Sequence, residues 1–393
     1  MSASPTLLTR TEDLAAFCAQ AKTAPYVTVD TEFLRERSYY SKLCLIQMAL
    51  PPASGGKAEG GPAVLVDPLA DGLSLAPLYD LFAHEGTVKV FHAARQDLEI
   101  FFHDAGIFPK PLFDTQVAAM VCGFGEQVGY ETLVRKIVRQ SLDKSSRFTD
   151  WSRRPLSAAQ LEYALADVTH LRAIYEFLRD QLNQTGRAAW LAEEIGVLES
   201  PDTYVTRPDE AWLRVRTRST APRFLAIVRE LARFREDYAQ RRDIPRSRVF
   251  KDDALIELAS TKPASEADLG RSRLLLREAR KGDIAAGILA AVKAGQDSTD
   301  LPKTQPEAPG APKDGALADL LRVLLKAKAD AAGVAPKLIA SASDLDALAA
   351  GQRDLPMLAG WRAEVFGRDA LRLAQGEIAL SARNGAVQVV ETG

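Results

Sequence analysis

The chain has little cysteine and histidine for its length. Only three cysteines and four histidines occur among 393 residues, and Cys18, Cys44 and Cys122 form no C-x-x-C pair. An odd, scattered set of cysteines argues against both a disulfide framework and a thiolate zinc site. We therefore interpret them as small core residues and expect a protein of the reducing cytoplasm.

Long apolar runs and a strong excess of charge are also missing. The N-terminal stretch TEDLAAFCAQAK carries acids, and no later run approaches the roughly 18 residues that span a bilayer. We expect neither secretion nor membrane insertion. A net charge of -2 gives no overall attraction for nucleic acid, so any such affinity must come from local patches.

Residues 1–205 mix strand and helix signals. Apolar, β-branched runs predict strands, and helical periodicity predicts helices at Glu12–Ala21, Ala94–Asp104 and Ser157–Leu182. The predicted strands are Tyr26–Val29, Leu43–Ala49, Ala63–Val66 and Thr87–Phe91. The first three are close enough to form a meander, with a glycine-rich hairpin at Pro51–Gly61. We therefore predict an α/β domain with a mixed sheet.

The remainder of the chain is helical in composition. A Pro- and Gly-rich stretch, 296–315, predicts a flexible linker between two small all-α domains at 210–295 and 316–393. A shift of about 90 residues aligns RRDIPRSRVFKDDALIELAS with AAGVAPKLIASASDLDALAA, so the buried pattern repeats. The arginines of the first copy, Arg241, Arg242, Arg246 and Arg248, have no basic counterparts in the second. If the first copy contacts phosphate, the second has lost the means.

Four acids and one tyrosine predict the chemistry of residues 1–205. Asp30 and Glu32 lie two residues apart in YVTVDTEF, so a strand points both to the same side. Tyr163 and Asp167 lie four residues apart in LEYALADVTHL, so a helix stacks them on one face. Alone, each acid would be read as a solvated or capping residue. Together with Asp97 of FHAARQDLEIF, they stand among core-type residues, where unpaired carboxylates would repel one another.

Bound divalent cations are the simplest way to neutralise the repulsion between these carboxylates. Ligation by oxygen alone favours Mg²⁺ or Mn²⁺ over zinc. Two such ions lower the pKa of an attacking water and stabilise the leaving oxygen in phosphodiester hydrolysis. Tyr163 is expected to orient that water or, with its pKa lowered by the cations, to accept its proton; the alternative is a packing aromatic.

The motifs VDTEF, HAARQDLEIF and YALADVTHL resemble those of the DEDDy family of 3′-to-5′ exonucleases. The segments DTEFLRERSYYSKLCLIQ, FDTQVAA and LDKSSRFTDWSRRPLSAAQLEYALADV resemble the bacterial ribonuclease D branch of that family, and the helical repeats resemble its HRDC domains. The resemblance implies an RNase H-like fold, with Asp30, Glu32, Asp97 and Asp167 as metal ligands. It also implies that Tyr163 positions the water. The family's other branch has histidine in place of this tyrosine, and the four-residue spacing of Tyr163 and Asp167 selects the tyrosine branch.

Candidate substrate contacts are less well defined by the sequence. His92 ends the strand before Asp97, where the resemblance implies a group near the terminal nucleotide, although a structural histidine fits equally well. Phe33 is a candidate wedge against the terminal base or a core residue. Lys144 and Arg147 are phosphate candidates or simply solvated. The group Arg241, Arg242, Arg246 and Arg248 is the better RNA-binding candidate, because the arginines of Ile227–Tyr238 alternate with acids.

These observations predict a two-metal 3′-5′ exoribonuclease. We expect a monomer that releases nucleoside 5′-monophosphates. The resemblance implies that its substrates are tRNA precursors and other small structured RNAs with single-stranded 3′ ends. A DNA-directed exonuclease remains an alternative, because the motifs do not read the 2′-hydroxyl. A nucleic-acid-binding module without catalysis is the other alternative, and the intact acids argue against it.

Overall fold

The computed structural model describes residues 6–52, 60–142, 149–302 and 315–392. The predicted hairpin tip at 53–59, the phosphate candidates Lys144 and Arg147, and residues 303–314 of the predicted linker lie outside these ranges. The chain forms two compact units. The first comprises Met1–Glu32, Leu43–Ser200 and Ala308–Gly393, and the second comprises Phe33–Lys42 and Pro201–Glu307.

A six-stranded mixed sheet forms the centre of the first unit, which confirms the predicted α/β domain. Its strands are β1 (Thr6–Leu8), β2 (Tyr26–Leu34), β3 (Lys42–Ala49), β4 (Ala63–Val66), β5 (Val88–Phe91) and β6 (Leu112–Asp114). Their order is β1-β4-β3-β2-β5-β6. Strands β1 and β4, β2 and β5, and β5 and β6 pair in parallel, whereas β3 and β4 are antiparallel. The sequence prediction missed the two short edge strands, β1 and β6.

Helices cover the sheet of the first unit. They are α1 (Thr11–Ala21), α2 (Ala76–Phe82), α3 (Arg95–Ala105), α4 (Thr115–Val121), α5 (Tyr130–Leu133), α6 (Ala158–Thr185) and α7 (Ala188–Leu198). The long helix α6 begins with a capping box, in which Ser157 and Gln160 satisfy each other's backbone amides. It ends at Gly186, whose positive φ of 68° suits a glycine. These two signals fix the helix that carries Tyr163 and Asp167.

The second unit is helical. Its helices are α8 (Pro222–Arg242), α9 (Arg246–Val249), α10 (Asp252–Thr261), α11 (Glu266–Leu269) and α12 (Gly282–Asp297). Leu231, Phe250, Leu258 and Ile288 are among the residues of its hydrophobic core. The segment after β2 also belongs to this unit, because Asp243 accepts hydrogen bonds from the backbone amides of Tyr39 and Tyr40, both at 3.0 Å.

The C-terminal part of the first unit repeats the start of the second unit. Its elements are α13 (Gly315–Ala332), α14 (Pro336–Ile339), α15 (Ala342–Ala349), α16 (Gly360–Arg362), α17 (Arg368–Gln375), β7 (Ile378–Arg383) and β8 (Ala386–Glu391). The short helices α9 and α14 both have four residues and start ninety residues apart. The antiparallel hairpin of β7 and β8 shows that the all-α prediction is wrong for this end of the chain.

The C-terminal elements pack on the rest of the first unit through α7. The rings of Trp190 and Trp361 stack at 4.7 Å between centroids. The carboxylate of Glu194 accepts hydrogen bonds from Trp361 Nε1 at 3.0 Å and from Arg362 Nη2 at 2.6 Å.

Among the described residues, no helix is long and apolar enough to cross a membrane.

Candidate active site

Three of the predicted acids meet at one point of the first unit. Asp30 and Glu32 project from β2, and Asp167 projects from α6, with one carboxylate oxygen of each within 4.8 Å of the others. The strand contributes two acids because alternate residues share a face, and the buried Val27 and Val29 lie on the opposite face, against the core. Carboxylate oxygens alone form a donor set for a hard divalent cation.

Asp97 lies next to this trio without belonging to it. It occupies the first turn of α3, is buried, and accepts a hydrogen bond from the hydroxyl of Thr31. Thr31 follows Asp30 on β2 and faces the other side of the strand. The charge of Asp30 nevertheless contributes to the raised pKa of Asp97, so the two carboxyl groups are neighbours.

Burial makes these carboxyl groups hold protons more tightly than usual. Burial raises the pKa of Asp30 to about 7, against the lowering effect of the Thr31 backbone amide. Burial, followed by the charge of Asp30, raises the pKa of Asp97 well above its ordinary value. A set of acids that resists ionisation when no cation is present fits a divalent metal site, because bound cations would favour the charged forms.

Tyr163 lies beside Asp167, as the four-residue spacing predicted. Burial raises the pKa of Tyr163, and the charges of Asp167, Glu32 and Asp30 raise it further. Its hydroxyl donates a hydrogen bond to Asp167. Its ring lies 6.1 Å from that of the buried Trp151, centroid to centroid. The described neighbours therefore keep the phenol protonated, which favours orienting a water over accepting its proton.

A cavity of about 270 Å³ opens beside the acids. It is lined by Asp30, His92, Gly129, Tyr130, Glu131, Thr132, Leu142, Tyr163, Asp167 and Leu171. The cavity thus combines two of the acids with the tyrosine and with His92, which the sequence singled out. Tyr130 was not predicted, and no spacing or motif in the sequence signals it.

The position of His92 defines which ring nitrogen carries its proton. Thr115 Oγ1 donates its only proton to the carbonyl of Phe91 at 3.0 Å. At 3.0 Å from His92 Nδ1, the same oxygen must therefore accept, which places the imidazole proton on Nδ1. Burial lowers the pKa of His92 and favours the neutral ring. In the described part of the chain, Nε2 has no hydrogen-bond partner, so it offers a lone pair.

Asp114 holds the loop in front of α3. Its carboxylate accepts from the amides of Ala93 and Ala94 at 3.1 and 2.8 Å, and from Gln116 and Val117 at the start of α4. Asp114 was not among the predicted site residues. The signal was present, because an Asp directly before an apolar helix is a typical N-cap.

Arg154 anchors the segment that contains Trp151. Its guanidinium forms a two-pronged pair with Asp67 at 2.7 and 2.6 Å, and it also donates to the carbonyls of Cys44 and Trp151 at 2.7 and 2.8 Å. This anchoring fixes Trp151 against Tyr163. No local pattern predicts these contacts, because Asp67 and Cys44 lie 87 and 110 residues away from Arg154 in the sequence.

The arginine group of the second unit differs from the prediction of unpaired charges. Arg241 pairs with Asp237 at 2.7 Å, Arg242 with Asp283 at 3.3 Å, and Arg246 with Glu236 at 3.4 Å. Arg248 is exposed and makes no ion pair within the ranges that the structure describes. The prediction of an unpaired cluster is therefore wrong for three of the four.

Phe33 does not line the cavity as far as the described residues define it. It is half-buried on β2 and belongs to the second unit. Its contact with a terminal base stays a prediction.

Comparison with known families identifies the class of this fold and site. Residues 5–183 match the family model of 3′-5′ exonucleases, and residues 224–292 match that of the HRDC domain. The mixed sheet and the helical second unit are thus those of a 3′-5′ exonuclease with an HRDC domain.

Relatives of nearly full length narrow this class. The chain is 61% identical to a ribonuclease D of Jannaschia over 98% of its length and 100% of the relative, and 48% identical to one of Granulibacter bethesdensis over 99% and 98%. The solved structure of Escherichia coli RNase D covers 95% of the chain and 99% of that protein, with 28% identity and a TM-score of 0.81. The chain belongs to the ribonuclease D family, and it is a divalent-metal-dependent 3′-5′ exoribonuclease. This confirms the resemblance in the motifs.

Proposed function

We propose that Asp30, Glu32, Asp97 and Asp167 hold two Mg²⁺ or Mn²⁺ ions and that Tyr163 orients the attacking water. The observation that carries this proposal is the convergence of Asp30, Glu32 and Asp167 within 4.8 Å beside a cavity. The cations, when bound, lower the pKa of water and stabilise negative charge on the scissile phosphate. The phenol of Tyr163 holds its proton and acts as a hydrogen-bonding group for the water.

Substitution of single carboxylates tests the assignment. Asp30→Asn and Asp167→Asn keep the size of each side chain but remove its charge, and we expect at least a hundredfold loss of mononucleotide release from an RNA labelled at its 5′ end. Glu162→Gln is the matched control, because Glu162 is an exposed acid on the same helix. Full release by both site variants would refute the assignment, whereas an equal loss in the control would show a helix effect.

We also propose that His92 accepts a hydrogen bond from a hydroxyl of the terminal ribose. Its Nε2 lone pair belongs to a residue that lines the cavity with Asp30 and Tyr163. A lone pair selects for a donor, and a sugar hydroxyl is the donor nearest to the 3′ end of the chain that is cleaved. Contact with the 2′-hydroxyl would favour RNA over DNA.

A double-mutant-type cycle, in which the enzyme and the terminal nucleotide are both changed, distinguishes contact with the 2′-hydroxyl from contact with the 3′-hydroxyl. Release rates are compared for RNAs that end in a ribonucleotide, a 2′-deoxynucleotide or a 3′-deoxynucleotide, with the unmodified enzyme and with His92→Phe. One neutral hydrogen bond predicts about a three- to tenfold penalty for the missing hydroxyl, and this penalty should vanish in the variant. Equal losses by His92→Phe on all three substrates would contradict the contact.

We propose, further, that the substrates are tRNA precursors and other structured RNAs with single-stranded 3′ ends. Escherichia coli RNase D is an exoribonuclease involved in structured RNA processing, which supports this choice. We assign the catalytic domain to 1–205, the first HRDC domain to 210–295 and a second, diverged HRDC-like domain to 316–393, with a linker at 296–315, in a cytoplasmic monomer. Trimming of a precursor tRNA with a 3′ extension, compared with a blunt RNA duplex and matched DNA, tests the substrate class; preference for DNA would overturn it.

Arg248 tests the role of the first HRDC domain. This exposed arginine has no ion-pair partner in the described ranges, whereas Arg241 is paired with Asp237. We expect Arg248→Ala to weaken RNA binding and to lower the slope of log affinity against log salt by about one. Arg241→Ala is the control with a smaller effect, and unchanged salt dependence in Arg248→Ala would contradict phosphate contact there.

A further inference from the structure

Two side-chain hydroxyls contact backbone carbonyls of α6 at the turn that carries Asp167. Tyr130 donates to the carbonyl of Asp167 at 2.6 Å, with the carbonyl of Ala166 at 3.1 Å. The hydroxyl of Thr28 on β2 lies 2.8 Å from the carbonyl of Val168 and 3.1 Å from that of Ala49 on β3. The carbonyls of α6 also belong to the regular helix, so the donors are additional to the helical hydrogen bonds.

Both donors come from elements that border the site. Thr28 is fully buried on β2, two residues before Asp30. Tyr130 begins α5, lines the cavity beside Asp30 and Asp167, and places its ring 5.4 Å from that of His92. The turn with Asp167 is therefore tied to the strand with Asp30 on one side and to α5 on the other.

From this geometry we infer that Tyr130 is a positioning residue for the metal site. Its hydroxyl fixes the backbone of Asp167, and thereby the distance of that carboxylate from Asp30 and Glu32. A ligand set held in advance binds a cation more tightly, because less ordering is needed on binding. This inference rests on the proposed ligand set.

Tyr130→Phe removes the hydroxyl and keeps the ring. Tyr26→Phe is a matched control, because Tyr26 also hydrogen-bonds α6, through Glu176 at 2.6 Å, but more than two turns beyond Asp167. Direct titration calorimetry with Mn²⁺ alone measures ion binding without any reaction. We expect the Mn²⁺ dissociation constant to rise three- to tenfold in Tyr130→Phe and to stay unchanged in Tyr26→Phe.

Further measurements separate positioning from general weakening. KM for RNA at saturating Mn²⁺ should be unchanged in Tyr130→Phe, and its thermal midpoint should fall no more than that of Tyr26→Phe. Thr28→Val, which removes the donor on the other side, should weaken Mn²⁺ binding in the same direction. Unchanged Mn²⁺ affinity in Tyr130→Phe would overturn the inference. Loss of Mn²⁺ binding in Asp167→Asn tests the ligand set independently, so the two failures are distinguishable.

Discussion

The raised pKa of Asp30 predicts that the metal-free protein loses stability as the pH rises. The folded state keeps a proton on this carboxyl up to a pH of about 7, whereas the unfolded chain releases it near 3.8. Between these values the folded state binds more protons than the unfolded state, so the free energy of unfolding falls with increasing pH. Divalent cations should reverse this loss by stabilising the ionised form.

The magnitude follows from the size of the shift. A difference of roughly three pKa units, at about 1.4 kcal/mol per unit, gives a ceiling of about 4 kcal/mol. Partial solvation of the site reduces this to about 2 kcal/mol at the effective dielectric constant typical of proteins. For a unit of this size, about 2 kcal/mol corresponds to a lowering of the melting temperature by about 4–8 °C.

Calorimetric unfolding of metal-free protein between pH 4 and pH 8 measures the effect. The melting temperature of the unmodified chain should fall over this range as Asp30 loses its proton. Asp30→Asn has no such proton, so its melting temperature should fall by a smaller amount, with a difference of about 4–8 °C between the two proteins. Added Mn²⁺ at pH 8 should stabilise the unmodified chain more than the variant. Asp180→Asn, at an exposed acid of α6, is the control. Identical pH dependence in the unmodified chain and Asp30→Asn would refute the reasoning.

Three substitutions test the packing of the first unit. Arg154→Lys keeps the charge but loses the two-pronged pair with Asp67, and should lower the urea-unfolding free energy by about 1–3 kcal/mol; an unchanged value would contradict the anchoring role. Glu194→Gln leaves its guanidinium partner uncompensated, and should cost about 3–5 kcal/mol and accelerate proteolysis of the C-terminal elements; unaltered cleavage would contradict this. Gly123→Ala should also destabilise, by about 1–3 kcal/mol in thermal unfolding, since φ is +80° and the new Cβ would lie 2.5 Å from the oxygen of Gly333; an unchanged melting temperature would count against that contact.

Local spacing made most of the catalytic site predictable. Asp30 and Glu32 follow the two-residue period of a strand, and Tyr163 and Asp167 the four-residue period of a helix, so short sequence segments define both pairs. Which carboxylates share a point in space is a tertiary question. The hydrogen bond from Thr31 to Asp97 joins residues 66 positions apart, and no periodicity reports it.

The hairpin of β7 and β8 and the pairing of Arg241 are both signalled by local sequence patterns. Asn384 and Gly385 lie between two alternating apolar stretches, and both adopt positive φ, as a two-residue hairpin turn requires. The pairing of Arg241 with Asp237 follows the four-residue helix spacing. The partners of Arg242 and Arg246 lie 41 and 10 residues away in the sequence, outside the spacing of one helical turn, so these ion pairs could be seen only in the folded protein.

The first unit contains residues from both sides of Pro201–Glu307, which form most of the second unit. In the sequence, the second unit is therefore an insertion into the first. Residues 201–307 are inserted between α7 and α13 of the first unit. The stacking of Trp190 on Trp361 joins the parts of the first unit that lie before and after the insertion. A minimal nuclease should therefore be made by replacing the inserted residues with a short linker. Ending the chain at residue 200 would instead uncover Trp190 and leave Glu194 without its partners.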